Sequence, residues 1–222
     1  MSLKPPKKSD QNKEWMKKRR DKAIRVHPEY HLIVTEGTKT EPQYFNALKA
    51  AINSVYRDKI QLDIHGEGDN TLGLLERAKK RVSDNANTYK HVWIVYDTDD
   101  FPADRINRTA MECVEISTEE TTYHPIWSNQ CIELWYLLHF SFMQSDLHRS
   151  EYWPKLSQWL SSIGAGDYEK GRADMYVTLR PYLDIAIRNA KKLDVINQDR
   201  QPTHAAPGTK VYELVEKLKP YL

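Results

Sequence analysis

His91-Val-Trp-Ile-Val-Tyr-Asp-Thr-Asp-Asp100 decides the fold. Val92 to Tyr96 form an unbroken run of apolar, β-branched and aromatic residues, which reads as a buried strand. The run stops at Asp97, Asp99 and Asp100. Asp97 and Asp99 are two apart, so on an extended backbone their side chains leave on the same face. Two converging carboxylates repel, and a divalent cation relieves the repulsion. An all-oxygen donor set suits Mg²⁺ or Mn²⁺. The alternative is an acidic loop that caps the following helix.

Upstream, His31-Leu-Ile-Val-Thr35 is a shorter buried strand, followed by the turn Glu36-Gly-Thr-Lys39. A helix opens at Thr40-Glu-Pro-Gln43, where Thr40 and Gln43 have capping-box spacing and Pro42 is tolerated in a first turn. Tyr44, Phe45, Leu48, Ile52 and Val55 continue it with helical spacing. Ile60-Gln-Leu-Asp-Ile64 alternates as a second strand. Leu72, Leu75, Ala78 and Val82 mark a second helix. Downstream, Ile106, Ala110, Cys113 and Val114 mark a helix over about 104–117. Thr121–Trp127 reads as a fourth strand, placed at a sheet edge or strand end by Pro125. An apolar helix starts at Ser128 or Asn129 and runs to about Phe140.

Strand–helix alternation over 31–140 predicts an α/β fold, a parallel sheet with helices on both faces. Residues 150–222 carry three helical stripes instead: Trp153/Leu156/Trp159/Leu160/Ile163, Leu179/Leu183/Ala186/Ile187/Ala190 and Val211/Leu214/Val215/Leu218. The expected organisation is a basic leader over 1–28, an α/β core over 29–145 and a helical extension packed on it over 146–222.

In open α/β sheets, sites gather at the carboxyl ends of strands. Glu36 falls there after the first strand, Asp97, Asp99 and Asp100 after the third, and Glu133 in the helix after the fourth. Glu36 could be a metal ligand or a general acid/base, or simply part of a turn. Lys39 and Thr40 stand at a helix N-terminus, where backbone N–H groups and a lysine can hold phosphate. Glu133 sits on an apolar helix, four residues after Asn129. A carboxylate there needs a partner, either a cation or an Arg or Lys. His139 is off that face and reads as structural. No Ser/His/Asp or Cys/His arrangement stands out.

The chain has 222 residues and a net charge of +2, with 33 basic and 31 acidic side chains. Residues 1–25 hold ten basic and three acidic residues, a charge of +7, which leaves −5 on the remainder. A basic arm on an acidic body suits contact with a polyanion such as DNA or RNA. Two cysteines without a CxxC make neither a disulfide framework nor a zinc site. No apolar run approaches the ~20 residues of a membrane span. No signal-peptide pattern opens the chain, so a cytoplasmic protein without membrane contact is expected.

Ile33-Val-Thr-Glu-Gly-Thr-Lys-Thr-Glu-Pro-Gln-Tyr-Phe45, Val92-Trp-Ile-Val-Tyr-Asp-Thr-Asp-Asp-Phe101 and Ser128-Asn-Gln-Cys-Ile-Glu-Leu-Trp-Tyr-Leu-Leu-His-Phe140 together resemble the RloB-like proteins. Pro207-Gly-Thr-Lys-Val-Tyr-Glu-Leu-Val215 also resembles that family's C-terminal motif, with Ala206 where an Asn is expected. The resemblance implies a Toprim-like core, as in topoisomerases, primases and OLD-type nucleases. It implies that Glu36 matches the Toprim glutamate and that Asp97 and Asp99 match its DxD pair, binding Mg²⁺ for phosphodiester cleavage. Asp100 and Glu133 would extend the metal site. Lys39, Thr40 and Asn129 would contact substrate. An AAA-type ATPase encoded nearby and a role in anti-phage defence or restriction are further implications. The competing expectation is a non-catalytic Toprim-like sensor that regulates the ATPase. A haloacid-dehalogenase-type phosphatase fits poorly, because its DxD would follow the first strand.

Overall fold

The computed structural model describes residues 27–98 and 102–222. The basic arm, Asp99 and Asp100 lie outside the described residues. Four parallel strands form the sheet: β1 (Glu29–Thr35), β2 (Ile60–Gly66), β3 (Tyr89–Asp97) and β4 (Thr122–Ser128), in the order β2-β1-β3-β4. The central strands β1 and β3 are buried on both faces, which is why they read as continuous apolar runs. β4 is an edge strand, where the missing N–H of Pro125 is tolerated.

Two hydrophobic clusters sandwich the sheet. On one face, α2 (Thr71–Asp84) and α3 (Ala103–Glu115) cover Leu32, Val34, Val92, Ile94 and Tyr96. On the other, α1 (Thr40–Tyr56) covers Ile33, Leu62, Trp93 and Val95. That second cluster continues through α4 (Glu133–Leu137), α5 (Tyr152–Ser162), α6 (Met175–Leu179), α7 (Leu183–Ile196) and α8 (Val211–Leu218). The C-terminal helices therefore share one core with α1 and the sheet.

The strand order places the site. The chain leaves β1 for β2 in one direction, with α1 on one face, and then crosses to β3 and β4 in the other, with α2 and α3 on the opposite face. Right-handed crossovers force that change of face. The direction reverses between β1 and β3, and a crevice opens at their carboxyl ends. Thr35 pairs with Val95, so Glu36 and Asp97 flank this switch point.

Several expectations shift by a residue or more. Lys39, not Thr40, holds the cap position of α1, and no side chain caps it; Thr40 is the first helical residue. The Ser128–Phe140 helix shortens to Glu133–Leu137, because strand-like bonds to 207–210 hold its expected start. Asn129 N–H donates to Gly208 O at 2.9 Å, and Lys210 N–H donates to Trp127 O at 2.8 Å. In α2 the buried stripe is Leu74, Leu75 and Ala78 rather than Leu72. In α3 it is Ile106, Thr109 and Cys113, and Val114 is 70% exposed. In α5, Tyr152, Leu156 and Leu160 face the core at i, i+4 and i+8, which turns Trp153, Trp159 and Ile163 toward solvent. The two C-terminal stripes are buried as expected.

Candidate active site

The β1–α1 turn is built around Thr35 and Gly37. Thr35 Oγ1 donates to Gly37 O at 2.8 Å, which closes the turn immediately after the strand. A Cβ on Gly37 would collide with the Glu41 carboxyl, and one on Gly66 would lie 2.7 Å from Gly37 O and from Pro42. Only glycine at both positions lets the ends of β1, β2 and α1 approach so closely. The β2–α2 loop then docks beside the turn, with Gly68 N–H donating to Glu36 O at 3.0 Å.

Glu36 is turned back over the switch point. Its N–H donates to Val95 O at 2.9 Å, and its Oε2 accepts the N–H of Asp97 at 3.2 Å. The Glu36 carboxylate is thus tied to the backbone of Asp97 by one hydrogen bond. Glu133 opens α4 on the facing wall and is only 2% exposed. Its Oε1 accepts the Tyr168 hydroxyl at 2.7 Å. No Lys, Arg or His forms an ion pair with it among the described residues. Burial, reinforced by the Glu133 charge, pushes the Tyr168 hydroxyl far above its ordinary range, so it stays a neutral donor. Burial pushes the Cys131 thiol up as well, and the neighbouring Glu133 and Asp97 charges add to this.

These residues line one cleft of about 620 Å³. Glu36, Glu41, Asp69, Asp97 and Glu133 bring five carboxylates to it, and Lys39 and Lys170 bring two cations. Asp69 is paired with a cation: Arg77 Nε donates to it at 2.8 Å, and that contact holds its carboxyl below the usual range. The first turn of α1, with Thr40 at its start, faces the same space.

Of the predicted site residues, Glu36, Lys39, Thr40, Asp97 and Glu133 meet here. Asn129 is not among the described lining residues. It is 3% exposed and works behind the cleft: its side-chain amide N–H groups donate to Thr98 Oγ1 at 2.7 Å and Pro202 O at 3.3 Å, and its backbone carbonyl accepts the Tyr152 hydroxyl at 3.2 Å. The segment resembling the family's C-terminal motif buttresses the same place, with Thr209 Oγ1 2.7 Å from Ser128 Oγ.

Sequence reasoning missed four residues. Asp69 follows β2, so the strand-end rule used for Glu36 and Asp97 would have found it. Glu41 was visible as an acidic residue in the first turn of α1. Tyr168 and Lys170 carry no local signal, because the loop between α5 and α6 brings them from far along the chain.

A second titratable cluster lies at the opposite end of the sheet. Ligand atoms of Glu29, His31 and His91 fall within 4.8 Å of one another. The hydrogen bonds there do not fit a metal ion. Trp93 Nε1–H donates to His31 Nδ1 at 3.2 Å, so the proton of neutral His31 sits on Nε2 and is donated to Glu29 at 2.7 Å. A metal on Nε2 would push that proton to Nδ1, against the Trp93 N–H.

Fold and cleft together define a doubly wound α/β protein with a carboxylate-rich crevice at its topological switch point. The RloB-like protein family model matches residues 31–218, and the chain belongs to the RloB-like family. No curated protein and no solved structure matches it.

Proposed function

We propose that the cleft hydrolyses phosphodiester bonds of nucleic acid with the help of Mg²⁺ or Mn²⁺. The observation that carries this reading is the convergence of Glu36, Asp97 and Glu133 from three elements into one cleft. Glu133 supports a cation most directly, since it is a buried carboxylate answered only by neutral donors among the described residues. Isolated buried charge is costly, and a hard cation among carboxylate oxygens offsets it. Glu36, Asp97 and Glu133 would hold the ion; the spacing of Asp99 and Asp100 makes them further candidates.

A bound divalent ion supplies charge neutralisation at the phosphate and lowers the pKa of a bound water. The protein's own groups orient the reaction. Lys39 and Lys170 hold non-bridging phosphate oxygens, and the uncapped first turn of α1 adds N–H donors. Glu36, fixed by the Asp97 N–H, accepts the proton of the attacking water. Tyr168 keeps the Glu133 carboxylate in place. The Toprim-like resemblance, the AAA-type ATPase partner and the role in anti-phage defence belong to this same reading.

The test is purified protein, alone and with the ATPase encoded beside it, incubated with tRNA, plasmid and single-stranded DNA in Mg²⁺, Mn²⁺ or EDTA. Cleavage should need the metal, and Asp97→Ala should lose about 10²–10³-fold in rate while staying folded. Full activity in that variant overturns the reading. ATPase capture with no cleavage of any substrate points instead to a regulatory module.

A further inference from the structure

We propose that Trp153 and Lys170 form a subsite for one unpaired nucleotide beside the acidic cleft, so that the preferred substrate is single-stranded nucleic acid. This rests on the phosphodiester reading of the cleft and adds its substrate class.

Trp153 is the second residue of α5 and is 42% exposed. The helix buries its neighbours Tyr152, Leu156 and Leu160, so the indole is left outside by register. Single exposed apolar side chains are common; the surroundings distinguish this one. Lys170 Nζ lies 5.9 Å from the centre of the Trp153 ring, and Lys170 and Gly171 also line the cleft. One side chain therefore connects an exposed indole to the carboxylate floor. Lys170 makes no ion pair with a carboxylate among the described residues, so its charge is available to a phosphate. Trp159, exposed to a similar degree, differs: its ring stacks on Phe140 at 5.7 Å and an interplanar angle of 3°.

The chemistry of the cleft asks for such an anchor. Five carboxylates repel a polyanion wherever a cation does not intervene. A base stacked on an indole is held without reference to charge, and each such stack contributes about 1–3 kcal/mol whatever the base. Lys170, which lies over the ring, can swing to that nucleotide's phosphate and yield the indole face to its base. A single strand offers an unstacked base directly. A duplex offers one only after flipping, at a cost of a few kcal/mol.

The experiment measures fluorescence anisotropy of short labelled RNA, short labelled DNA and the matching DNA duplex, in EDTA and in Ca²⁺. Trp153→Ala should weaken single-strand binding about 5- to 150-fold and leave duplex binding and the salt slope unchanged. Trp153→Phe, which keeps an aromatic face, should retain most of the affinity. Lys170→Gln should lower the salt slope by about one. A larger Trp153 effect on RNA or on DNA identifies the natural strand and supports the subsite either way. Single-strand affinity unchanged in Trp153→Ala, or equal losses on duplex and single strand, overturns it. Trp153-dependent binding without cleavage of any substrate in Mg²⁺ or Mn²⁺ would remove the hydrolase reading and leave the subsite standing; cleavage with Trp153-independent binding would do the reverse.

Discussion

The two ends of the sheet carry opposite kinds of polar cluster. At the carboxyl ends, Glu36, Glu41, Asp97 and Glu133 face a cleft, and among the described residues Glu133 has neutral partners only. At the amino ends, His31, His91 and His124 crowd around Glu29 and Trp93, and each ring is answered by another group of the cluster. His91 Nδ1 lies 2.9 Å from His124 Nε2, and Trp93 stacks on His124 with centroids 4.0 Å apart. Proximity of titratable groups is common to both ends. What separates them is how the groups are partnered and where they face. The histidine cluster is a closed network, whereas the buried Glu133 carboxylate faces the cleft with only neutral donors among the described residues.

The largest way to break this contrast is acid. Burial lowers the pKa of His31, and it lowers His91, His124 and His139 to about 4, against an ordinary 6.5. Between those values the unfolded chain binds protons that the folded chain refuses. Stability should therefore be fully present above pH 6.5 and fall as the pH drops toward 4. For the fully buried His139 this is worth about 3 kcal/mol at pH 4. Chemical denaturation across that range should show the loss, and a flat profile would show that burial does not hold these four imidazoles neutral. His139→Gln should blunt it.

A subtler break is Trp93→Phe, which keeps an aromatic face but removes the N–H and part of the ring system. It should cost about 1–3 kcal/mol, because His31 Nδ1 is buried. It should also free that nitrogen to carry the proton and raise Zn²⁺ affinity about 10- to 100-fold. Zinc titration of both forms by calorimetry checks this; equal affinity would show that the tautomer does not govern the site. Smallest is Glu133→Gln at the other end. Neutralising a buried carboxylate should raise stability in EDTA by about 1 kcal/mol. The same variant should shrink the melting shift produced by Mg²⁺, whereas His124→Gln should leave that shift alone.

Much of this was legible in the chain. The run Val92–Tyr96 and the strand at His31–Thr35 announce themselves because strands buried on both faces carry no polar alternation. Pro125 announced an edge. Placement of Glu36 and Asp97 at strand ends followed from the α/β pattern alone. The α5 stripe failed because Trp153, Trp159 and Ile163 are as apolar as Tyr152, Leu156 and Leu160. With apolar residues on adjacent faces, periodicity does not say which face is inward; contact with α4 decides it. The Ser128–Phe140 helix started too early because the apolar pattern carries no trace of the 207–210 segment that claims its first residues. Asn129, expected to contact substrate, directs its side-chain N–H donors to Thr98 and Pro202 behind the cleft, contacts that no local pattern announces.

The sequence by itself determined the family, the parallel α/β core and two of the carboxylates at its switch point, because each rests on local pattern or on a motif. Tertiary structure alone decided that Tyr168 would hold the Glu133 carboxylate, that Lys170 would line the cleft, and that the histidines at the amino ends would satisfy one another. Those outcomes depend on side chains tens of residues apart meeting at hydrogen-bond distance. No periodicity encodes such meetings; the crossover of the chain and the packing of the C-terminal helices on α1 bring them about.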